Sequence, residues 1–327
     1  MIRLVVPPTK RPTTIAELHA LVNSHSNLDT VIRLGDLKLE NDKLDIGGAP
    51  MAVRENGMRD LLTKIHMPFG YAASIPNDLL YDSTNRLLKT YGDLEVLVRT
   101  QDNEVRGILE PTYVPLDSGS LADRLNKTSD VGLLPARISY DGDSLTASLI
   151  SEQKCTAIDV GDVTHIGVTL ETSDVNRFNL SAGAYLHRLV CTNGAVVPAA
   201  MGGGMNFSQK KVNPDTVWDL FDEGYQRILK TMSEMDNEFL IRLQGKKVDA
   251  AGWVKAKDKL SQFASGHKVA QILRSMESEA KERGTDFNFY DIYNAVTSTA
   301  RDEASLYTAQ SLEKAAGELL FSFGSKN

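Results

Sequence analysis

The sequence predicts an α+β protein in which an antiparallel, β-rich N-terminal part with short helices precedes an α-helical C-terminal part. Two features of the hydrophobic pattern lead to this prediction. Over residues 94–197, apolar residues alternate with polar ones between turn residues, which is typical of strands joined by hairpins. Over residues 214–323, the apolar spacing changes to that of amphipathic helices.

The change of pattern also predicts the domain organisation. Asn213 is a favourable N-cap and Pro214 suits the first turn of a helix, so a helix is expected to begin there. We therefore expect an extended arm at residues 1–12, an α+β domain at 13–212, and a helical domain at 213–327 packed on or beside it.

Local signals predict the elements of the first part in chain order. Thr14 and Glu17 have the spacing of a capping box, so a helix should follow Thr14. Farther along, the pattern predicts a hairpin that turns at Asn41-Asp42, a helix at 58–65, and a helix from Asn77, acting as N-cap, to Tyr91.

Most of the strands are expected between the second of these helices and Asn213. The pattern predicts a hairpin turning at Asp102-Asn103, a helix at 120–126, a hairpin at 136–150 turning at 141–143, a strand at 163–171, and a strand pair at 185–197 turning at Asn193-Gly194. Beyond Pro214, four or five helices joined by short polar turns should form a bundle.

The composition is that of a globular protein without a metal or cofactor site. The 327-residue chain has a net charge of −7, two cysteines (Cys155 and Cys191), and six histidines at no spacing that suits zinc. No apolar run reaches the roughly 18 residues that cross a bilayer, and the start lacks a signal peptide. We expect a cytoplasmic protein that uses neither a membrane nor a cofactor.

The sequence contains no recognisable catalytic motif. Cys191 and His187 lie on one predicted strand about 13 Å apart, too far for a nucleophile and its base. We therefore interpret the cysteines as buried thiols and expect a protein that is not an enzyme, with an enzyme acting on nucleotides or nucleic acid as a further alternative.

The densest basic segment is the main candidate for a binding surface. It contains Lys246, Lys247, Lys255 and Lys257, with Trp253 among them. Lysines beside an aromatic side chain are the arrangement with which many proteins bind single-stranded nucleic acid. The alternative is a solvated corner between helices with Trp253 packed inward.

A second group of candidate binding residues lies nearer the middle of the chain. Arg188 lies at the end of a predicted strand, and Lys210 and Lys211 follow the glycine run Gly202–Gly204. Backbone N–H groups of such a loop, together with lysines, can bind phosphate, but the run matches no known phosphate-binding motif. The alternative is a surface loop without a ligand.

Three blocks of sequence resemble a family of phage and plasmid proteins grouped as domain of unknown function 932. They are Met58 through Met67-Pro-Phe-Gly-Tyr71 to Val105–Asp117, Leu189–Gly194, and Tyr293–Asp302. Members often carry a histidine near the end of the third block, where this chain has Asp302 or Glu303. The resemblance implies a phage, plasmid or integrated-element origin and a bacterial host, but no established activity.

These observations lead to two hypotheses of different classes. The first is a non-enzymatic protein that binds or anneals single-stranded DNA in recombination or replication. The second is a self-assembling or partner-binding protein, such as an antagonist of host defence, with Met232, Met235 and Phe239 facing a partner. We expect a homo-oligomer under either hypothesis, with single-stranded DNA or a host protein as the partner.

Overall fold

The computed structural model describes residues 4–127, 132–159, 162–188, 193–196, 204–234, 245–283, 288–303 and 306–324. The predicted α+β class is confirmed, because two mostly antiparallel sheets precede a series of helices.

The first six strands form one sheet. The strands are β1 (Asn27–Arg33), β2 (Leu37–Glu40), β3 (Lys43–Ile46), β4 (Ala49–Val53), β5 (Glu95–Gln101) and β6 (Glu104–Leu109). Their order is β1-β5-β6-β4-β3-β2, and all neighbours are antiparallel except β4 and β6. Helix α1 (Ile15–Asn23) precedes the sheet, and α2 (Glu55–Lys64), α3 (Phe69–Ser74) and α4 (Asn77–Thr90) pack on it through a core that includes Leu61, Leu80 and Val98.

The second sheet follows helix α5 (Ser118–Lys127). Its strands are β7 (Leu133–Tyr140), β8 (Ser144–Asp159), β9 (Asp162–Ser173), β10 (Leu180–Arg188), β11 (Asn193–Val196) and β12 (Gly204–Phe207). The order is β11-β10-β9-β8-β7, and β12 also pairs with β10.

Five described helices complete the chain. They are α6 (Pro214–Glu234), α7 (Ala250–Ser261), α8 (Gly266–Arg283), α9 (Phe289–Arg301) and α10 (Leu306–Gly324). A single core joins these helices, the apolar side chains of the second sheet, α1 and α5, with Val168, Phe221 and Leu312 among its members. The predicted boundary between residues 212 and 213 stays a prediction.

The two tightest predicted hairpins are confirmed, and a third predicted strand pair forms between β10 and β11 but with its turn elsewhere than predicted. Asn41 and Asp42, like Asp102 and Asn103, have positive φ values of 51° to 64°, as two-residue hairpin turns require. Asn193-Gly194 is not a turn: these residues belong to β11 and pair with Arg188 and His187 of β10. Strand register, which is set by the whole sheet, prevails here over the local turn preference.

Two predicted helix caps are also corrected. Asn77 is the first helical residue rather than the N-cap, and its side chain lies 3.4 Å from the Tyr81 hydroxyl. Thr14 is the N-cap of α1 and accepts from the Glu17 N–H at 3.0 Å, but the Glu17 carboxylate returns to Thr13, one residue before the capping-box position. Asn213 caps α6 as predicted, accepting from the Asp215 N–H at 2.9 Å.

The N-terminal arm is tied to both sheets. The Val5 N–H donates to the Val53 carbonyl at 3.0 Å, and Lys10 exchanges two backbone hydrogen bonds with Tyr140, at 2.7 and 2.9 Å. Backbone hydrogen bonds therefore hold the described part of the arm in an extended conformation along the folded chain.

Candidate nucleic-acid interface

The main basic segment surrounds the start of α7. Asp249 caps this helix, its carboxylate accepting from the Gly252 N–H at 2.6 Å. Lys246 and Lys247 lie just before the cap, and Lys255 and Lys257 lie on the helix; all four are exposed. The cap, two residues after Lys247, fixes where the helix begins.

Trp253 lies on the side of α7 that faces the protein. It is half-buried and packs against the core that joins the second sheet to the C-terminal helices. The buried residues Ala256 and Leu260 follow it at helical spacing, on the same side of α7. Most of the indole is thus packed inward, as the alternative interpretation of this segment expected. Only its outer part could stack on a base. The neighbouring Val254 is 58% exposed.

Two of the four lysines meet at the end of the last helix. The Lys246 amine donates to the Phe323 carbonyl at 3.4 Å, and the Lys255 amine lies 5.2 Å from the centre of the Phe323 ring. Cations are stabilised at a helix C-terminus by its unpaired carbonyls and by the helix dipole. The fold therefore gives these two lysines a structural role as well as an exposed charge.

Other basic side chains near this surface are neutralised within the chain. Lys259 pairs with Glu318 at 3.0 Å, and Lys268 pairs with Glu303 at 2.7 Å. The lysines at 246, 247, 255 and 257 place exposed positive charge around the start of this helix, and we call these four the α7 lysines.

Lys210 and Lys211 lie in the connection between β12 and α6. The Lys211 N–H donates to the Thr112 carbonyl at 3.1 Å, and Lys210 forms an antiparallel bridge with Tyr113. Both side chains are exposed.

The remaining predicted residues around the second sheet are only partly described. Arg188 ends β10 opposite Asn193, but its side chain lies outside the described residues, as do Cys191, Gly202 and Gly203. His187 is buried, and burial lowers its pKa to about 4, with Arg137 and His165 adding to the effect. It is therefore a neutral side chain at pH 7 and adds no positive charge.

A cluster of buried charge between the two sheets was not predicted. Arg54, which follows β4, and Arg106 on β6 are 4% and 0% exposed. Arg54 donates to Asp143 at 2.7 Å and Arg106 to Asp174 at 2.9 Å, and both guanidinium groups reach the Gly142 carbonyl. The acceptors lie on turns of the second sheet, so these pairs join the two sheets. The sequence signal that could have indicated this buried cluster is Arg106, an arginine within the apolar pattern of a predicted strand.

No metal or membrane site is found in the part of the chain that the structure describes. No group of three or more His, Cys, Asp or Glu side chains there could hold a metal ion. None of the described helices is both long and apolar enough to span a bilayer.

Comparisons with known proteins assign no function. No protein-family model, curated protein or solved structure matches this chain. The resemblance to the phage and plasmid family therefore stays a prediction.

Proposed function

We propose that the protein binds single-stranded nucleic acid without catalysing a reaction, in strand binding or annealing for a phage or another mobile element. The observation that carries the proposal is the exposure of the α7 lysines around one helix start, beside the outer part of Trp253. Basic side chains concentrated on one surface attract a phosphate backbone even when the whole chain is acidic.

The half-buried position of Trp253 determines what kind of binding to expect. Because most of the indole packs on the core, base stacking contributes little, and Coulomb attraction supplies most of the affinity. If each of the α7 lysines neutralises one phosphate, log K should fall with log salt with a slope of about −3, from roughly 0.7 per contact on single strands.

Fluorescence anisotropy with labelled single- and double-stranded DNA at several salt concentrations tests this. The K255E/K257E variant should bind more weakly, and its salt slope should be smaller by about 1.4, two contacts at roughly 0.7 each. The fourfold variant K246E/K247E/K255E/K257E should lose binding, and circular dichroism checks that it is folded, because Lys246 and Lys255 also contact Phe323.

The matched control is K43E/K127E. Lys43 on β3 and Lys127 at the end of α5 are exposed and belong to the first sheet and the α5 end, not to α7. This variant makes the same change in net charge, so it should keep the wild-type slope. Absence of binding by the wild type at low salt would reject the proposal, and equal weakening by both double variants would exclude the α7 lysines as the site.

A second candidate function is self-assembly or binding of a host protein. The sequence analysis predicted that Met232, Met235 and Phe239 face a partner. The side chains of these three residues are not among those that the structure describes. A different feature now favours this candidate: strand β1 ends the first sheet and exposes Leu28 and Val31.

A further inference from the structure

Strand β1 forms an open edge of the first sheet. It pairs with β5 on one side, and none of the strands that the structure describes pairs with it on the other. Six of its seven residues are exposed, and Leu28 and Val31 are 59% and 55% exposed. Two large apolar side chains on an unpaired edge favour addition of a further strand.

The hydrogen bonds to β5 show which backbone groups point outward. The Asp102 N–H donates to the Ser26 carbonyl, and the Leu34 N–H donates to the Leu94 carbonyl, each at 2.9 Å. With the continuous antiparallel register, even-numbered residues therefore bond to β5. The N–H and C=O groups of the odd-numbered residues, at 27, 29, 31 and 33, point away from the sheet.

β1 lacks several of the features that protect an edge strand, although it carries the charged side chains of Asp29 and Arg33. It contains neither proline nor lysine, and its pairing with β5 runs through all seven residues without a bulge. Natural proteins use these features to prevent association between edges. The backbone of β1 therefore presents a continuous edge that can accept a strand.

We propose that a second copy of this chain pairs with β1 in antiparallel orientation, with the two-fold axis at Val31, to form one continuous sheet across a homodimer. In this register Val31 lies opposite its own copy. Asp29 lies opposite Arg33 of the second copy, and by symmetry Arg33 lies opposite Asp29. About six backbone hydrogen bonds would form between the outward-pointing groups.

Charge complementarity selects this register over its neighbours. Opposite charges directly across two strands are stabilising and like charges are destabilising. A two-fold axis at Asp29 would place two carboxylates opposite each other, and an axis at Thr30 would place Asp29 opposite Val31. Only the register centred on Val31 pairs Asp29 with Arg33 at both ends.

The fold already positions Asp29 for this contact. Its Oδ1 atom accepts from Arg99 Nε at 3.0 Å, and Arg99, which is 1% exposed, is held in turn by two hydrogen bonds to Asp117 at 2.7 and 2.8 Å. A carboxylate has lone pairs for further donors. Arg33 is exposed and forms no ion pair with the described residues.

Sedimentation velocity and light scattering over a wide concentration range test the proposal. The wild type should show a concentration-dependent monomer–dimer equilibrium. V31P should be monomeric, because it removes an outward N–H that no described residue accepts, and proline is tolerated on edge strands. If V31P does not fold, V31K replaces it as the test variant. It places two like charges opposite each other on the two-fold axis, so it should also be monomeric.

The charged pair gives an independent readout. R33E replaces two attractive contacts by two repulsive ones, so the dimer dissociation constant should rise about 10-fold or more. K43E makes the same charge change on β3, and L79K makes the same kind of change as V31K at an exposed leucine of α4. Both controls should dimerise normally. A wild type that is monomeric at every concentration, or a dimer unaffected by V31K and R33E, would overturn the proposal.

Discussion

Replacing Asp60 by asparagine should change how the stability of the protein depends on pH. Asp60 lies on α2, with its Oδ2 atom accepting from the Ile108 N–H at 3.2 Å and its Oδ1 atom accepting from Arg177 at 3.1 Å. The side chain is 15% exposed. Burial raises its pKa from 3.8 to about 6, and the Arg177 guanidinium limits the rise.

The direction of the effect follows from the raised pKa. The folded state holds the proton more tightly than the unfolded state, so Asp60 contributes stability that is fully present below about pH 4 and is lost as pH rises through about 6. A pKa difference of about two pH units corresponds to about 3 kcal/mol in the free energy of unfolding. Because asparagine does not titrate, D60N should gain about that much relative to the wild type between pH 4 and pH 7.5.

Urea unfolding followed by circular dichroism at several pH values measures this gain. D93N, at an exposed aspartate before β5, is the matched control and should show a constant difference from the wild type. A stability difference between D60N and the wild type that stays constant across this pH range would refute the argument, as would one that favours D60N more strongly in acid.

Two further substitutions test the packing of the second sheet. G167A should lower the free energy of unfolding by about 3 kcal/mol or more, because the added Cβ would overlap the Leu149 carbonyl oxygen. G70A is the control: its Cβ would enter open space at α3, so it should be neutral or slightly stabilising. Thermal melts of the two variants make the comparison. R137M should destabilise by about 3–5 kcal/mol at pH 7, because it leaves Glu313, 2% exposed, without this partner at 2.5 Å. E313Q should lower the free energy of unfolding by less, because the Arg137 side chain that it leaves behind is 27% exposed and can reach water. Urea unfolding measures both variants, and a larger loss for E313Q than for R137M would contradict this reasoning.

The sequence predicted the elements whose signals are local. Asn41-Asp42 and Asp102-Asn103 determine their hairpins because both residues of each pair adopt the left-handed conformation that the turn needs. Asn213-Pro214 likewise determines where α6 begins. Asn193-Gly194 has an equally good local signal, but its position was decided by pairing with β10, which the local pattern does not contain.

The candidate sites show the same division. The pattern located the lysines at 246–257, and the structure shows that the four α7 lysines are exposed, which the sequence left open. It could not show that Lys246 and Lys255 meet at Phe323, because that contact joins residues about 70 positions apart in the chain. The open edge at β1 was missed because strand order in a sheet is a property of tertiary structure.

The use of arginine inside the protein bears on the type of binding that we propose. Arg54, Arg99 and Arg106 are buried and form ion pairs with carboxylates between or beside the sheets, so their charge cannot meet a phosphate. The exposed charge of the α7 surface comes from lysines, which act as point charges and lack the fork that lets arginine read a guanine edge with two hydrogen bonds. A surface of this kind binds the backbone of any sequence alike. Such indifference to sequence is what a strand-annealing protein requires, and it makes the salt slope, rather than a preferred sequence, the quantity that identifies the interface.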